Sequence, residues 1–308
     1  MQVVVVGSVA LDTIRTPAAA HIDLLGGSAS YFSLAASLLC EVGVIAVVGD
    51  DFPAEHITLL EGRGIDLGGL IRQPGATFRW EGEYGAVLKE RRTLRTELGV
   101  FESFHPVIPP AYRHPAALFL ANIDPHLQEE VLAGAGNVPL VASDTMNFWI
   151  EGMPDALARV IRRVHLLLVN DEEAQLLTGH AQITRAAAAI RALGPEVVVI
   201  KKGPHGVAAC GPWGWLALPA LAIDDVRDPT GAGDSFAGGL IGYLAGRDWR
   251  DRDEIATGLA VGTAIASLSV EREGVAAIAE LPVARLRERC ADLRAMTHFA
   301  LPELEGRR

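Results

Sequence analysis

Short runs of consecutive apolar, mostly β-branched residues recur along the chain. Between them lie longer stretches whose apolar positions return every three or four residues. The runs predict strands at 2–6, 44–48, 117–121, 140–142, 166–169 and 197–201. The intervening stretches predict helices that start near Ser28, Pro53, Pro125, Pro154, Asp171, Thr184, Gly233 and Asp251. Strands that are apolar at every position are buried on both faces, so the alternation predicts an α/β fold with a mostly parallel sheet between two helical layers. Ligands bind such sheets beyond the carboxyl ends of the strands. Asp12, Asn122, Asp144, Asn170 and a glycine turn at 231–233 all fall there.

One segment changes period. In "TFRWEGEY", residues 77–84, Phe78, Trp80 and Tyr84 share one parity while Thr77, Arg79, Glu81 and Glu83 share the other. That alternation predicts a half-buried antiparallel strand with an aromatic face, and "AVLKERRTLRTEL" after it is able to pair as a hairpin. A small β lid, drawn from about 12–25 and 75–100, is therefore expected as an insertion in a single domain spanning 1–308; an oligomer surface or plain decoration fits the pattern equally. No internal repeat interrupts that reading.

Composition narrows the function classes. Half of the 308 residues are apolar, enough for a large core. A formal charge of −11 argues against binding to nucleic acid or to an anionic membrane surface. Cys40, Cys210 and Cys290 are far apart in sequence and read as buried thiols of a reducing compartment. The opening "MQVVVVGSVALD" has no basic leader or cleavage site and reads as a core strand, and a cytoplasmic protein is expected. The histidines have no zinc-ligand spacing.

The densest chemistry lies in "DPTGAGDSFAGG", residues 228–239. A Walker A loop needs a glycine-lysine pair, which the chain lacks; a dinucleotide fingerprint needs a third glycine where Phe236 stands. Gly231, Ala232 and Gly233 can still offer successive N–H groups at a helix N-terminus, where unpaired donors and the macrodipole favour an anion. Asp234 beside them is either an ordinary helix cap or a group that meets the ligand.

This stretch closely resembles the C-terminal signature of the ribokinase family, the PfkB-type carbohydrate and nucleoside kinases. Other segments resemble the same family in the same order: "VVVVGSVALD" with Asp12, "LGGSASYFSLAASL" with Gly26 and Gly27, "VNDEEAQLLTG" with Asn170 and Glu173, and "VVVIKKGPHG". The resemblance implies a three-layer ribokinase-like sandwich and an ATP-dependent phosphotransferase acting on an alcohol. It makes Asp234 the base for the attacking hydroxyl and the 231–233 turn the anion hole for the transferred phosphoryl group. Asn170, Glu173, Lys201, Gly203, Gly206 and Thr230 fall to the nucleotide, with Glu173 acting on Mg²⁺ through water. Without the resemblance, Asn170 and Glu173 read as a helix capping box.

Asp12, Gly26, Gly27, Ser28, Arg79, Asn122 and Asp144 fall to the acceptor. Ribokinase-type enzymes carry lysine and asparagine where this chain has Ser28 and Tyr31, which argues against a ribose-specific pocket. "SDTMNFWI" resembles the Asp-x-Asn pattern of sugar-acid kinases without their nearby arginine. Asp228, with the late loop "SVEREGVAA" and Gly274, resembles the family's monovalent-cation site, which implies K⁺. The expected acceptor is a sugar, polyol or related carbohydrate, with a nucleoside as the alternative and a noncatalytic ligand-binding regulator as the rival of a different class. A homodimer through the lid is the expected assembly.

Overall fold

The computed structural model describes residues 1–16, 19–85 and 91–298; positions 17–18 and 86–90 of the expected lid lie outside the described residues. The strands run in chain order as β1 (Val3–Val6), β2 (Ala10–Arg15), β3 (Ala20–Gly26), β4 (Val42–Val48), β5 (Asp66–Arg72), β6 (Arg79–Tyr84), β7 (Arg91–Glu97), β8 (Ala117–Leu120), β9 (Leu140–Asp144), β10 (Leu166–Asn170), β11 (Val197–Lys201), β12 (Val207–Gly211) and β13 (Gly214–Leu218). The helices are α1 (Ser28–Ala36), α2 (Ala54–Gly62), α3 (Pro125–Gly134), α4 (Asn147–Gly152), α5 (Pro154–Ile161), α6 (Asp171–Thr178), α7 (Ile183–Leu193), α8 (Ala232–Leu244), α9 (Arg252–Ser269), α10 (Ala276–Ala279) and α11 (Val283–Thr297).

Successive residues of a strand point to opposite faces, so an all-apolar strand feeds two cores at once. Val3 and Val5 of β1 and Leu166 and Leu168 of β10 join one core, with Phe32 and Leu34 of α1, Phe236 and Leu240 of α8, and Leu259 of α9. Val4, Val6, Leu167 and Val169 join the other, with Val131 of α3, Val160 of α5, Ala174 of α6 and Ile190 of α7. The result is the expected three-layer α/β sandwich.

The central sheet has the order β13-β12-β11-β10-β9-β8-β1-β4-β5. Its strands from β11 to β5 pair in parallel, while β12 and β13 close one edge as antiparallel partners. A second sheet, β3-β2-β6-β7, stands apart from it. There β6 pairs antiparallel with β7, as the alternation in 77–84 predicts, and parallel with β2. Helix starts fall within a residue of expectation; Asp251 is the cap of α9, its carboxylate accepting from the N–H groups of Asp253 and Glu254. Among the described residues no helix is long and apolar enough to cross a membrane.

Register brings the chemistry together. Asn170 at the end of β10 lies beside Lys201 at the end of β11, and Asp144 at the end of β9 pairs with Leu168 of β10. Helix α8 is laid over these ends by a close crossing with α1. Gly238 packs on the Phe32 carbonyl, and a Cβ there would stand 2.8 Å from that of Ala35. Neither helix backbone has room to give way. We predict that Gly238→Val destabilises the protein by about 1–3 kcal/mol in urea unfolding, the usual cost of overpacking a close helix contact.

Candidate active site

Helix α8 begins at a left-handed residue, Gly231 (φ 70°, ψ 5°), and makes no side-chain cap hydrogen bond. A side chain at 231 would also drive into the ring of Tyr31, so glycine is required twice over. Asp234 is not the cap: it is the third residue of the helix, inside the first turn. The capping alternative is therefore not how this helix starts. The Ala232 N–H reaches the Pro229 carbonyl at 3.3 Å, whereas the N–H groups of Gly231 and Gly233 have no acceptor among the described residues. Asp228 braces the turn from below. Its buried carboxylate accepts the Thr230 N–H at 2.9 Å and the Gly274 N–H at 2.8 Å, which ties the turn to the late glycine loop.

Beside the turn lies a half-buried lysine. Lys201 approaches Asp144 at 3.9 Å, and its ammonium would lie 3.2 Å from a Cβ at Gly233. Burial alone would depress the lysine, but the carboxylates of Asp144, Glu173 and Asp234 outweigh it and hold the ammonium protonated above its ordinary range. Burial pushes the Asp144 carboxyl well above the usual carboxylate range, opposed by Lys201 and reinforced by Asp234 and Glu173. Glu173 is raised for the same first reason, with Lys201 and the Asn170 N–H pulling it back. Asn170 and Glu173 do form the capping box of α6: the Asn170 N–H donates to Glu173 Oε2 at 2.7 Å and the Glu173 N–H to Asn170 Oδ1 at 2.8 Å. That structural duty does not remove Asn170 from the cleft, whose wall it lines.

A cavity of about 720 Å³ opens next to this group. Its lining joins Asn170, Lys201, Gly203, Gly206 and the turn residue Gly233 to a mostly apolar wall that includes Phe236 and Val270. A ligand with both an anionic and an apolar part fits such a lining. The apolar wall was not legible in sequence, because its residues read as core positions of α8 and α9. Among the described residues no three His, Cys, Asp or Glu side chains converge as a metal site, so a divalent ion here would need ligand atoms from a bound phosphate.

The opposite side of the glycine turn is richer in carboxylate. Asp12 is buried on β2, and its carboxylate fills the space over Gly26; Gly27 packs on the Ser8 backbone. The two glycines thus admit the protein's own groups. Ser28 turns inward, its hydroxyl meeting the Ser8 N–H and hydroxyl, each at 3.2 Å. The Arg79 guanidinium is held by Asp23 and, at 2.9 Å, by Asp51. Asn122 accepts from Trp149 Nε1 at 2.9 Å. Tyr31, unassigned in the sequence reading, belongs to this region: its buried hydroxyl has no partner among the described residues. Burial, then the charges of Asp12 and Asp228, raise that phenol well above its usual range, and Asp234 and Tyr84 act on it too. Asp234 is common to both groups, its charge acting on Lys201 and on Tyr31.

A half-buried glycine turn, a lysine and carboxylates meet near the strand ends, and comparison with known proteins gives the family. A profile of the pfkB family carbohydrate kinases matches residues 2–282. The chain is 30% identical over 257 residues to the cytidine kinase of Thermococcus kodakarensis, covering 80% of this chain and 90% of that one. It is 29% identical over 261 residues to the 2-dehydro-3-deoxygluconokinase of Thermoproteus tenax, covering 77% and 79%. The Burkholderia thailandensis nucleoside kinase, solved with inosine, superposes with a TM-score of 0.78 at 21% identity, covering 94% of this chain and 95% of that one. The protein belongs to the pfkB family of carbohydrate kinases. It is an ATP-dependent kinase that phosphorylates a hydroxyl.

The buried Glu173 carboxylate gives this site a pH signature. Its native pKa is raised, so the unfolded chain ionises first, near pH ~4.3. As pH climbs from there through the native value, the folded state loses stability relative to the unfolded one. Glu173→Gln keeps an acceptor for the Asn170 N–H and removes the charge. The melting temperature of the variant, measured against wild type, is expected to improve between about pH 4.5 and pH 8; a change in the opposite direction would contradict the assigned burial cost.

Proposed function

We propose that the protein transfers the γ-phosphoryl group of ATP to a hydroxyl of a neutral polyhydroxylated acceptor, with Asp234 as the base. The observation that carries this is that Asp234, in the first turn of α8 beside the glycine-turn donors, acts electrostatically both on Lys201 and on Tyr31, the phenol on which Asp12 also acts. ATP lies in the cavity with its base against the apolar wall and its phosphates towards Lys201, Asn170 and Gly233. Mg²⁺ carried with the nucleotide would neutralise phosphate charge, with Glu173 acting through water. The Gly231 and Gly233 N–H groups then stabilise charge on the equatorial oxygens, and Ala232, whose N–H leans on Pro229, contributes less. Asp234 takes the proton of the attacking hydroxyl late, as that oxygen gains phosphate character. Asp228 sets the turn through Thr230, and K⁺ beside it would add charge balance under the same turn.

The acceptor side is crowded with carboxylates: Asp12, Asp228 and Asp234 all act on Tyr31. The guanidinium of Arg79 is engaged by Asp23 and Asp51. An acidic acceptor would meet repulsion there, while the hydroxyls of a neutral sugar or of a nucleoside would find acceptors and the Tyr31 hydroxyl. Within that class, the 30% identity to a cytidine kinase over 90% of its length favours a nucleoside. The second sheet serves as the lid, and its outer strands β3 and β7 are where a second copy would pair.

The test is Mg·ATP turnover on cytidine, inosine, D-fructose, ribitol and 2-dehydro-3-deoxygluconate, with products identified by mass. Transfer to a neutral member and none to the sugar acid is expected; preferred transfer to the sugar acid would overturn the acceptor assignment. On the acceptor so found, Asp234→Asn is predicted to retain ATP binding and lose about 10²–10⁴-fold in single-turnover transfer, the usual scale of general-base catalysis. Near-normal transfer by a folded variant would remove Asp234 from the chemistry.

A further inference from the structure

A hydrogen bond joins the second sheet to the residue before the glycine turn. Tyr84 is the last residue of β6, and its side chain is 4% exposed. Its hydroxyl shares a hydrogen bond with the Thr230 hydroxyl at 2.7 Å across 146 positions of sequence. Thr230 immediately precedes Gly231, the left-handed residue that aims the donors of the turn. It is therefore gripped from two directions: its N–H by Asp228 in the main body, its hydroxyl by Tyr84 from the second sheet. The φ and ψ angles of the residue before a left-handed glycine decide where the following N–H groups point. A shift of about 1 Å in such donors is enough to cost a large part of their effect on a developing charge.

The alternation in 77–84 predicts an aromatic face, and its rings find partners within the protein. The ring of Phe78 stacks on Phe101, at 5.7 Å between centroids, and Trp80 donates its indole N–H to Thr93 within the sheet at 3.3 Å. Tyr84 is the member of the set whose polar end reaches the glycine turn. Tyr84 also lies close enough to Tyr31 to act on its phenol, which places β6 against both halves of the site.

We infer that Tyr84 is a positioning residue for phosphoryl transfer: carried on the second sheet, it fixes Thr230 and through it the anion-binding donors of the Gly231–Gly233 turn. The inference rests on the proposed transfer at this turn. It makes the geometry of the anion site depend on where the second sheet stands, so that a sheet displaced from the cleft leaves ATP bound and the turn poorly aimed. Tyr84 touches neither phosphate nor acceptor in this role.

Three full-length variants test it: Tyr84→Phe, Thr230→Val and the double variant, each assayed with Mg·ATP and the best acceptor of the panel above. Each single change is expected to lower kcat about fivefold to tenfold, the size of one neutral hydrogen bond. Both KM values should stay within about twofold, because binding does not use this bond. The double variant should be no slower than the slower single one, since both remove the same interaction. Additive losses, an unchanged kcat in Tyr84→Phe, or a loss confined to the acceptor KM would overturn the inference, the last making Tyr84 an acceptor contact. A wild-type protein that transfers to no panel member would overturn the underlying reading and the inference with it; an active wild type with additive variants sinks the inference alone.

Discussion

Charge balance around Lys201 constrains the whole cleft. Three carboxylates, Asp144, Glu173 and Asp234, act on one half-buried ammonium, and burial works against the charged forms of Asp144, Glu173 and Lys201. A site of this kind is held together by packing that fixes the charges at the right distances. Parallel pairing of β9, β10 and β11 supplies it, bringing Asp144, Asn170 and Lys201 to neighbouring strand ends. The close crossing of α8 on α1 supplies the rest by setting the helix N-terminus over them. An incoming triphosphate would add negative charge to a group that already holds more carboxylates than cations. The donors of the glycine turn and a divalent ion brought with the nucleotide are what make that addition tolerable.

The glycine turn is the point at which separate parts of the chain meet. Asp228 joins it to the loop of Gly274, Tyr31 packs beneath Gly231 from α1, and Tyr84 reaches Thr230 from the second sheet. Each contact comes from a different stretch of sequence, and each constrains a residue of the turn or its immediate neighbour. Rigidity of this kind suits a reaction in which alignment and fixed dipoles matter more than covalent chemistry.

Much of this was legible in the sequence because the determining patterns are local. All-apolar strand runs predicted the parallel sheet, and "DPTGAGDSFAGG" with "VNDEEAQLLTG" picked out Gly233 and Asn170, which line one cavity. What escaped was set by tertiary contact. Strand β5, "DLGGLIR", carries two glycines that weaken a strand pattern, and the apolar runs of β12 and β13 are short and separated only by Pro212 and Trp213. Helix α11 is largely polar and has no strong apolar stripe to announce it. At the site, the resemblance implied Arg79 and Ser28 as acceptor contacts, but no sequence pattern reveals that Asp23, Asp51 and Ser8 take up their polar atoms. The Tyr31 hydroxyl was equally hidden: its burial follows from how Gly231 lands on its ring.

The central claim is that Lys201 is the cation around which the phosphates and the reacting carboxylate are arranged. Calorimetric titration of Mg·ATP into wild type and Lys201→Met, with melting curves to verify that both are folded, addresses it directly. The account predicts that the folded variant loses at least about tenfold in ATP affinity, since removing the ammonium leaves buried carboxylates facing the incoming phosphates. A folded Lys201→Met protein that binds Mg·ATP as tightly as wild type would contradict it.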